Sequence, residues 1–212
     1  MLSTLLLGSL VLNQTPQTLD LVPVGDVWVY PHAPDPAGDP FMRIWGDGAE
    51  SVDKIVPSGG EFSYGYLVFD IPKKEDGTRF KVTGATLTVF AVSNEELTLN
   101  VIKENPLEVR GLEQAFEEKK FHVDSFKVGP YAGVFGKAAT AEKVGANYKF
   151  TIDLLAKDSE FEEWFNVGAK SGKFALSLTS RISPAESRSL LYKVFTKEND
   201  KALVPKLAVK VQ

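Results

Sequence analysis

The chain contains no cysteine, and only two histidines and two methionines occur among its 212 residues. The absence of cysteine excludes disulfide bonds, thiol nucleophiles and cysteine zinc sites. His32 and His122 are too few and too far apart in sequence to form a histidine metal cluster by themselves. The G-x-S-x-G, Walker A and G-x-G-x-x-G motifs are also missing. These absences favour a protein without catalytic activity.

The chain has no excess of basic residues. Its formal net charge is −4 and its sequence pI is about 5.3. A nucleic-acid-binding domain usually carries a basic patch and a high pI, so we expect no nucleic-acid partner. A local basic patch on an acidic protein can still bind an acidic polymer.

Long apolar runs are missing except near the start, where a Leu-rich stretch extends from Leu5 to Leu12. It resembles the apolar centre of a secretory signal peptide and is too short to span a bilayer. The sequence therefore predicts a signal peptide over residues 1–17, a single domain over 18–212 and a secreted or cell-surface location. No Lys or Arg precedes the run, and the alternative is a first strand of the fold. We expect no transmembrane segment.

The chain is rich in short segments with a period of two. In the stretch from Phe62 to Ser93, two such segments flank the charged loop KKEDGT and predict a hairpin. Further strands are predicted over residues 26–30, 41–45, 97–103, 148–154, 173–180, 190–196 and 203–211. Short helices are predicted over 112–120 and 159–166, and a loop over 129–145. The pattern predicts an all-β, antiparallel two-sheet sandwich, with a jelly roll as the expected closure and a monomer as the expected state.

Aromatic residues recur at alternate positions of three predicted strands. The candidate ligand-binding residues are Trp28, Tyr30, Arg43, Trp45, Tyr64 and Tyr66. Aromatic rings stack on the C–H faces of sugars, and a guanidinium can pair with a uronate carboxylate through two hydrogen bonds. The alternative is that these rings face the core, because Trp and Phe are usually buried in folded proteins, although Tyr tolerates contact with water at its edge.

Carboxylates are crowded in two predicted loops that lie close together in the sequence. Asp35, Asp39, Asp47 and Glu50 are the candidate metal ligands, and calcium is the ion that such oxygen ligands prefer. EF-hand spacing is absent, and the alternative is that these loops are simply solvated. We expect no other cofactor.

Several short motifs occur in the order typical of a known family. The motif residues are Phe69, Asp70 and Ile71; Ala85, Thr86 and Leu87; Asp153 and Trp164; Thr196, Lys197 and Glu198; and Pro205 and Leu207. Together they resemble the secreted DNRLRE-type domains grouped with carbohydrate-binding module family 96, over about residues 26–212. The family often has Arg where this chain has Lys197. The resemblance implies a β-sandwich that binds an acidic polysaccharide such as alginate.

Three functions follow from these observations. The first is a non-catalytic carbohydrate-binding module of an exported or cell-surface protein, which binds an acidic polysaccharide. The second is a structural or adhesive extracellular domain with protein partners, which would present a flat apolar patch. The third is a polysaccharide-degrading enzyme, because 28 acidic residues make some close carboxylate pair inevitable. We favour the first.

Overall fold

The computed structural model describes residues 16–30, 38–46, 62–122, 130–182 and 190–212. In these ranges the chain forms twelve strands, two α-helices and a 3-10 turn. The strands are β1 (Gln17–Leu21), β2 (Gly25–Val29), β3 (Phe41–Ile44), β4 (Tyr64–Asp70), β5 (Val82–Val92), β6 (Leu107–Leu112), β7 (Pro130–Ala138), β8 (Glu142–Val144), β9 (Asn147–Asp153), β10 (Lys173–Thr179), β11 (Tyr192–Phe195) and β12 (Lys206–Val211). The helices are α1 (Leu99–Glu104) and α2 (Phe161–Ser171), and the 3-10 turn is Glu118–Lys120.

The strands form two antiparallel sheets. The seven-stranded sheet is built on β5, which pairs with β9 and, through β9, with β8. The other partners of β5 are β12, which continues to β1, and β11, which continues to β3. The five-stranded sheet has the order β2-β4-β10-β6-β7. The predicted all-β antiparallel sandwich with short helices is confirmed, and the jelly-roll connectivity stays a prediction.

The main core lies between the sheets and is built from alternate residues of each strand. On β5, Ala85, Leu87, Val89 and Ala91 are buried, and the threonines between them are partly exposed. Burial of one such Leu or Val side chain stabilises the fold by roughly 1.5–3 kcal/mol. The period of two therefore places β5 with one face on the core, as its sequence predicts.

A second apolar cluster covers the other face of the five-stranded sheet. It contains Val27, Val29, Phe62, Tyr64, Tyr66, Val68, Leu112, Phe121 and Ala175. Ala115 and Phe116 of the segment 113–122 pack against it. Because this segment covers β2 and β4, both faces of β4 are buried and its sequence is apolar on both.

The predicted hairpin of β4 and β5 is wrong, since the two strands lie in different sheets. The connection between them runs past α2 instead of turning back. Asn166 of α2 accepts a hydrogen bond from Phe80 N (2.7 Å) and donates one to Phe80 O (2.9 Å). Lys74 N also donates to Ala169 O (2.9 Å). Contacts with a distant helix therefore guide the charged loop across the sandwich, and a local turn, in which Asp76 Oδ1 accepts a hydrogen bond from Thr78 N (3.0 Å), lies within it.

Two other sequence predictions are wrong. The alternation in residues 97–103 predicts a strand, but this segment includes most of α1, where Thr98 caps the helix by accepting a hydrogen bond from Val101 N (3.3 Å). Residues 112–120 do not form an α-helix: Leu112 ends β6, and the 3-10 turn follows. The apolar residues at helical spacing there cover the five-stranded sheet.

The predicted loop over 129–145 is also wrong, because it contains β7 and β8. One of its glycines, Gly136, is needed for close packing. A Cβ on Gly136 would lie 2.0 Å from Asp153 O, so only glycine lets β7 approach the end of β9. This contact closes one side of the sandwich.

Candidate functional site: the β2–β3 edge

The edge strands of the two sheets meet along one side of the sandwich, which we call the β2–β3 edge. Trp45 N donates to Ser63 O (3.0 Å), and Ser63 N donates to Trp45 O (2.9 Å). A Cβ on Gly65 would lie 2.9 Å from Met42 Sδ, so glycine at this position lets β3 lie directly over β4. The side chains of Asp26 and Trp28 on β2 and those of β3 are thereby brought to the same border.

A row of aromatic rings follows this edge. Trp28 and Tyr30 are stacked, with ring centroids 6.4 Å apart and planes 23° apart. Tyr30 contacts Trp45 at 5.5 Å between centroids. Trp28 and Tyr30 are half-buried, whereas Trp45 is only 8% exposed. Trp45 therefore packs against Tyr30 from the interior side. Trp28 and Tyr30 form the solvent-accessible part of the row.

Arg43 and Asp39 complete the aromatic row with a charged pair. The Arg43 guanidinium carbon lies 5.1 Å from the centroid of the Trp28 ring, a cation–π contact. Arg43 Nη1 donates to Asp39 Oδ2 (2.6 Å), and Trp28 Nε1 donates to the same oxygen (3.1 Å). Phe41 N donates to Asp39 Oδ1 (3.1 Å). Burial opposes ionisation of Asp39, but these hydrogen bonds outweigh it and hold its pKa below the usual value.

The predicted platform does not extend to β4. Tyr64 and Tyr66 are each 1% exposed and belong to the cluster beneath the segment 113–122. Burial raises the pKa of Tyr66, as expected for a phenol that solvent does not reach. In the pairing of β2 with β4, Trp28 lies opposite Gly65, so the two tyrosines point to the other side of the sheet. The expectation that they contact a ligand is wrong for this reason.

Of the four predicted calcium ligands, the structure describes only Asp39. Its carboxylate already accepts hydrogen bonds from Arg43, Trp28 and Phe41 N. Asp35, Asp47 and Glu50 lie outside the described residues.

A second group of charges, which the sequence did not predict as a site, lies beside β2 at the same edge. We call it the carboxylate cluster. It consists of Asp26, Glu118 of the 3-10 turn and Glu198, with one carboxylate oxygen from each within 4.8 Å of the others. Lys197 Nζ forms an ion pair with Glu118 Oε2 (2.5 Å) and another with Glu198 Oε1. Lys197 N donates to Asp26 Oδ2 (2.8 Å).

Asp26 is the unusual member of the carboxylate cluster. It is 1% exposed, and its Oδ1 has no hydrogen-bond partner within the described part of the chain. Burial raises the pKa of Asp26 to about 7; the Lys197 N–H opposes this rise, and the charges of Glu198 and Glu118 add to it. For Glu198, burial is outweighed by the hydrogen bond from Lys197, which lowers its pKa. The cluster thus contains one carboxyl group whose ionisation is unfavourable.

The segment that follows β11 joins the two groups of residues. Thr196 Oγ1 donates to Asp39 O (2.8 Å), and the next residue, Lys197, contacts Asp26 and Glu118. The aromatic row and the carboxylate cluster are therefore neighbours on one edge. The sequence motif Thr196, Lys197 and Glu198 contains two residues of this region, Lys197 and Glu198. Nothing in the sequence spacing links the motif to Asp26 or Glu118.

A surface pocket of about 380 Å³ lies beside the 3-10 turn. Its lining includes Phe116, His122 and Lys173. It contains no residue of the aromatic row or of the carboxylate cluster. Its lining consists of residues from the segment 113–122 and of Lys173. The pocket is therefore separate from the candidate site.

The fold and the edge define the protein as an antiparallel two-sheet β-sandwich with an aromatic and charged edge. Comparison of the chain with models of known protein families and with curated proteins finds no match. In the part of the chain that the structure describes, no helix has the length and apolar character needed to cross a membrane. Because one fold hosts many functions, the chemistry of the edge has to indicate the function.

Proposed function

We propose that the protein is a non-catalytic carbohydrate-binding module that holds an acidic polysaccharide along the β2–β3 edge. The resemblance to the DNRLRE-type domains supports this proposal, and so does the expected export of the chain to the cell surface or beyond. The observation that carries it is a pair of cations beside half-buried aromatic rings.

The two cations are Arg43 and Lys193, which lie directly opposite each other on β3 and β11. Side chains at such positions share a face, and like charges there repel each other. Lys193 Nζ lies 4.2 Å from the centroid of the Phe41 ring, and Arg43 lies over Trp28. Asp39 neutralises only part of this charge, so an anionic ligand would relieve the remaining repulsion.

The geometry of Arg43 suits a carboxylate ligand. Its side chain is 37% exposed, and only Nη1 is used in the ion pair with Asp39. Within the described residues, Nε and Nη2 make no hydrogen bond. A uronate carboxylate can therefore bind the free side of the guanidinium, while the sugar ring stacks on Trp28 or Tyr30.

The test is a calorimetric titration of the full chain with alginate, polygalacturonate and a neutral glucan, with and without calcium. We expect saturable binding of an acidic polymer, weakened about tenfold or more by Arg43→Gln and by Trp28→Ala, since one charge-assisted bond contributes roughly 1.5–3 kcal/mol. Arg79→Gln is the matched control, because Arg79 also forms an ion pair, with Glu163, outside the edge.

Binding that Arg43→Gln and Arg79→Gln weaken equally would place the ligand elsewhere on the molecule. Absence of binding to every polymer, with the fold intact by circular dichroism, would reject the proposal and favour a structural or adhesive domain. Loss of the fold in Trp28→Ala would show that this ring is part of the core, and Arg43→Gln then remains the informative variant.

A further inference from the structure

We propose that Asp26, Glu118 and Glu198 form a calcium site at the β2–β3 edge, for which the ammonium group of Lys197 competes. The inference goes beyond carbohydrate binding and does not depend on it. It concerns different residues from the acidic loops in which the sequence predicts calcium.

The spacing of the three carboxylates fits a calcium ion. Their ligand oxygens lie within 4.8 Å of one another. Three atoms within 4.8 Å of one another have a common central point that is at most about 2.8 Å from each of them. Calcium–oxygen distances are about 2.3–2.6 Å, whereas magnesium needs about 2.0–2.1 Å and a stricter geometry. An inward shift of a few tenths of an ångström is enough for calcium.

The state of Asp26 is a second, independent indication of a ligand. A carboxylate buried to this degree ordinarily has every oxygen paired, because an unpaired buried charge is costly. Asp26 Oδ2 accepts the Lys197 N–H, but Oδ1 has no partner within the described residues. This oxygen belongs to the carboxylate that faces Glu118 and Glu198. A bound cation would supply the missing partner.

Lys197 explains how the cluster is held when no metal ion is bound. Its ammonium forms ion pairs with Glu118 and Glu198, two of the three carboxylates. Three ionised carboxylates carry a charge of −3, which the Lys197 ammonium reduces to −2 and a calcium ion in its place would reduce to −1. The Lys197 side chain is 25% exposed, so it can swing into solvent when calcium enters. Glu198, with a side chain 27% exposed, provides the route of entry.

The experiment measures terbium luminescence and thermal unfolding of the full chain in metal-free buffer. Terbium replaces calcium in oxygen sites and is excited through a nearby tryptophan. Trp28 lies two residues from Asp26 on the same strand face, a rise of about 6.6 Å. We expect sensitised terbium emission that calcium displaces. We also expect the Tm to rise by roughly 5–10 °C at a calcium concentration of 100 times Kd.

The variant Lys197→Met distinguishes between two interpretations of the cluster, a calcium site and a permanent internal ion pair. If Lys197 competes with the metal ion, this variant binds calcium about tenfold or more tightly than wild type. It should also lose stability in chelator and recover it with calcium. Glu198→Gln should lose the response to calcium. Glu117→Gln is the matched control, since this neighbouring exposed carboxylate forms its ion pair with Lys120 instead.

Two results would overturn the proposal. One is the absence of terbium emission and of any calcium-dependent Tm in both wild type and Lys197→Met, which would make Lys197 a permanent counter-ion. The other is a calcium response that Glu198→Gln and Glu117→Gln leave equally intact, which would place the ion outside the cluster. Neither result depends on whether a polysaccharide binds, so this proposal and the proposed function can fail separately.

Discussion

Replacement of Asp26 by asparagine should make the protein more stable at alkaline pH. An asparagine side chain is nearly isosteric with that of aspartate, and its carbonyl oxygen could still accept the hydrogen bond from Lys197 N. The substitution removes the cost of holding a carboxylate at a position that is 1% exposed. The comparison is made in chelator, so that no metal ion contributes.

The size of the effect follows from the pKa of Asp26. In the unfolded chain this carboxyl ionises near its ordinary value of 3.8, whereas burial raises its pKa in the folded protein to about 7. A pKa difference of about three units corresponds to about 4 kcal/mol. Because the folded state holds the proton more tightly, this contribution to the stability of wild type is fully present below pH 4. It is lost from the free energy of unfolding as the pH rises to 7.

The assay is urea unfolding of wild type and Asp26→Asn at pH 4, 5, 6, 7 and 8. The variant should match wild type near pH 4 and exceed it by about 4 kcal/mol at pH 8, which corresponds to roughly 8–16 °C in Tm. Asp70→Asn, at an exposed carboxylate paired with Lys173, is the control and should show no such trend. A stability difference that is the same at pH 5 and pH 8 would refute the reasoning.

Two further predictions concern the scaffold that holds the edge. Asn166→Ala should lower the free energy of unfolding by about 3 kcal/mol by urea unfolding, since it removes three hydrogen bonds and leaves the buried N–H and C=O of Phe80 unpaired; a loss below about 1 kcal/mol would contradict this. Gly136→Ala should lower the free energy of unfolding by more than about 2 kcal/mol, because the alanine Cβ would lie 2.0 Å from Asp153 O. Unchanged thermal unfolding of this variant would show that β7 and β9 can move apart freely.

The aromatic row could be predicted from sequence because it needs only local information. Alternation in residues 26–30 places Trp28 and Tyr30 on one face, and alternation in residues 41–45 does the same for Arg43 and Trp45. Both segments contain edge strands. The same alternation in β4 predicts the strand correctly, but it cannot tell which face of the sheet is covered. The cover comes from residues 113–122, far along the chain, and it buries Tyr64 and Tyr66.

The carboxylate cluster could not be predicted, because its members come from three separate segments. Asp26 is in a strand, Glu118 is in a 3-10 turn for which the sequence predicts an α-helix, and Glu198 follows β11. No spacing rule joins such residues, and Glu198 alone is one acidic residue among 28. For the same reason the glycines of β7 predict a loop from sequence, since the approach of Asp153 is a tertiary contact.

The contacts that complete the β2–β3 edge also set the time at which it can form. The hydrogen bond between Lys197 N and Asp26 spans 171 residues, and that between Thr196 and Asp39 spans 157. At about 5–20 residues per second, roughly 10–30 s of synthesis separate the appearance of β2 from that of β11. During this interval Asp26 has neither Lys197 nor Glu198 beside it, so the carboxylate cluster is incomplete. The edge is therefore completed late in the synthesis of a new chain.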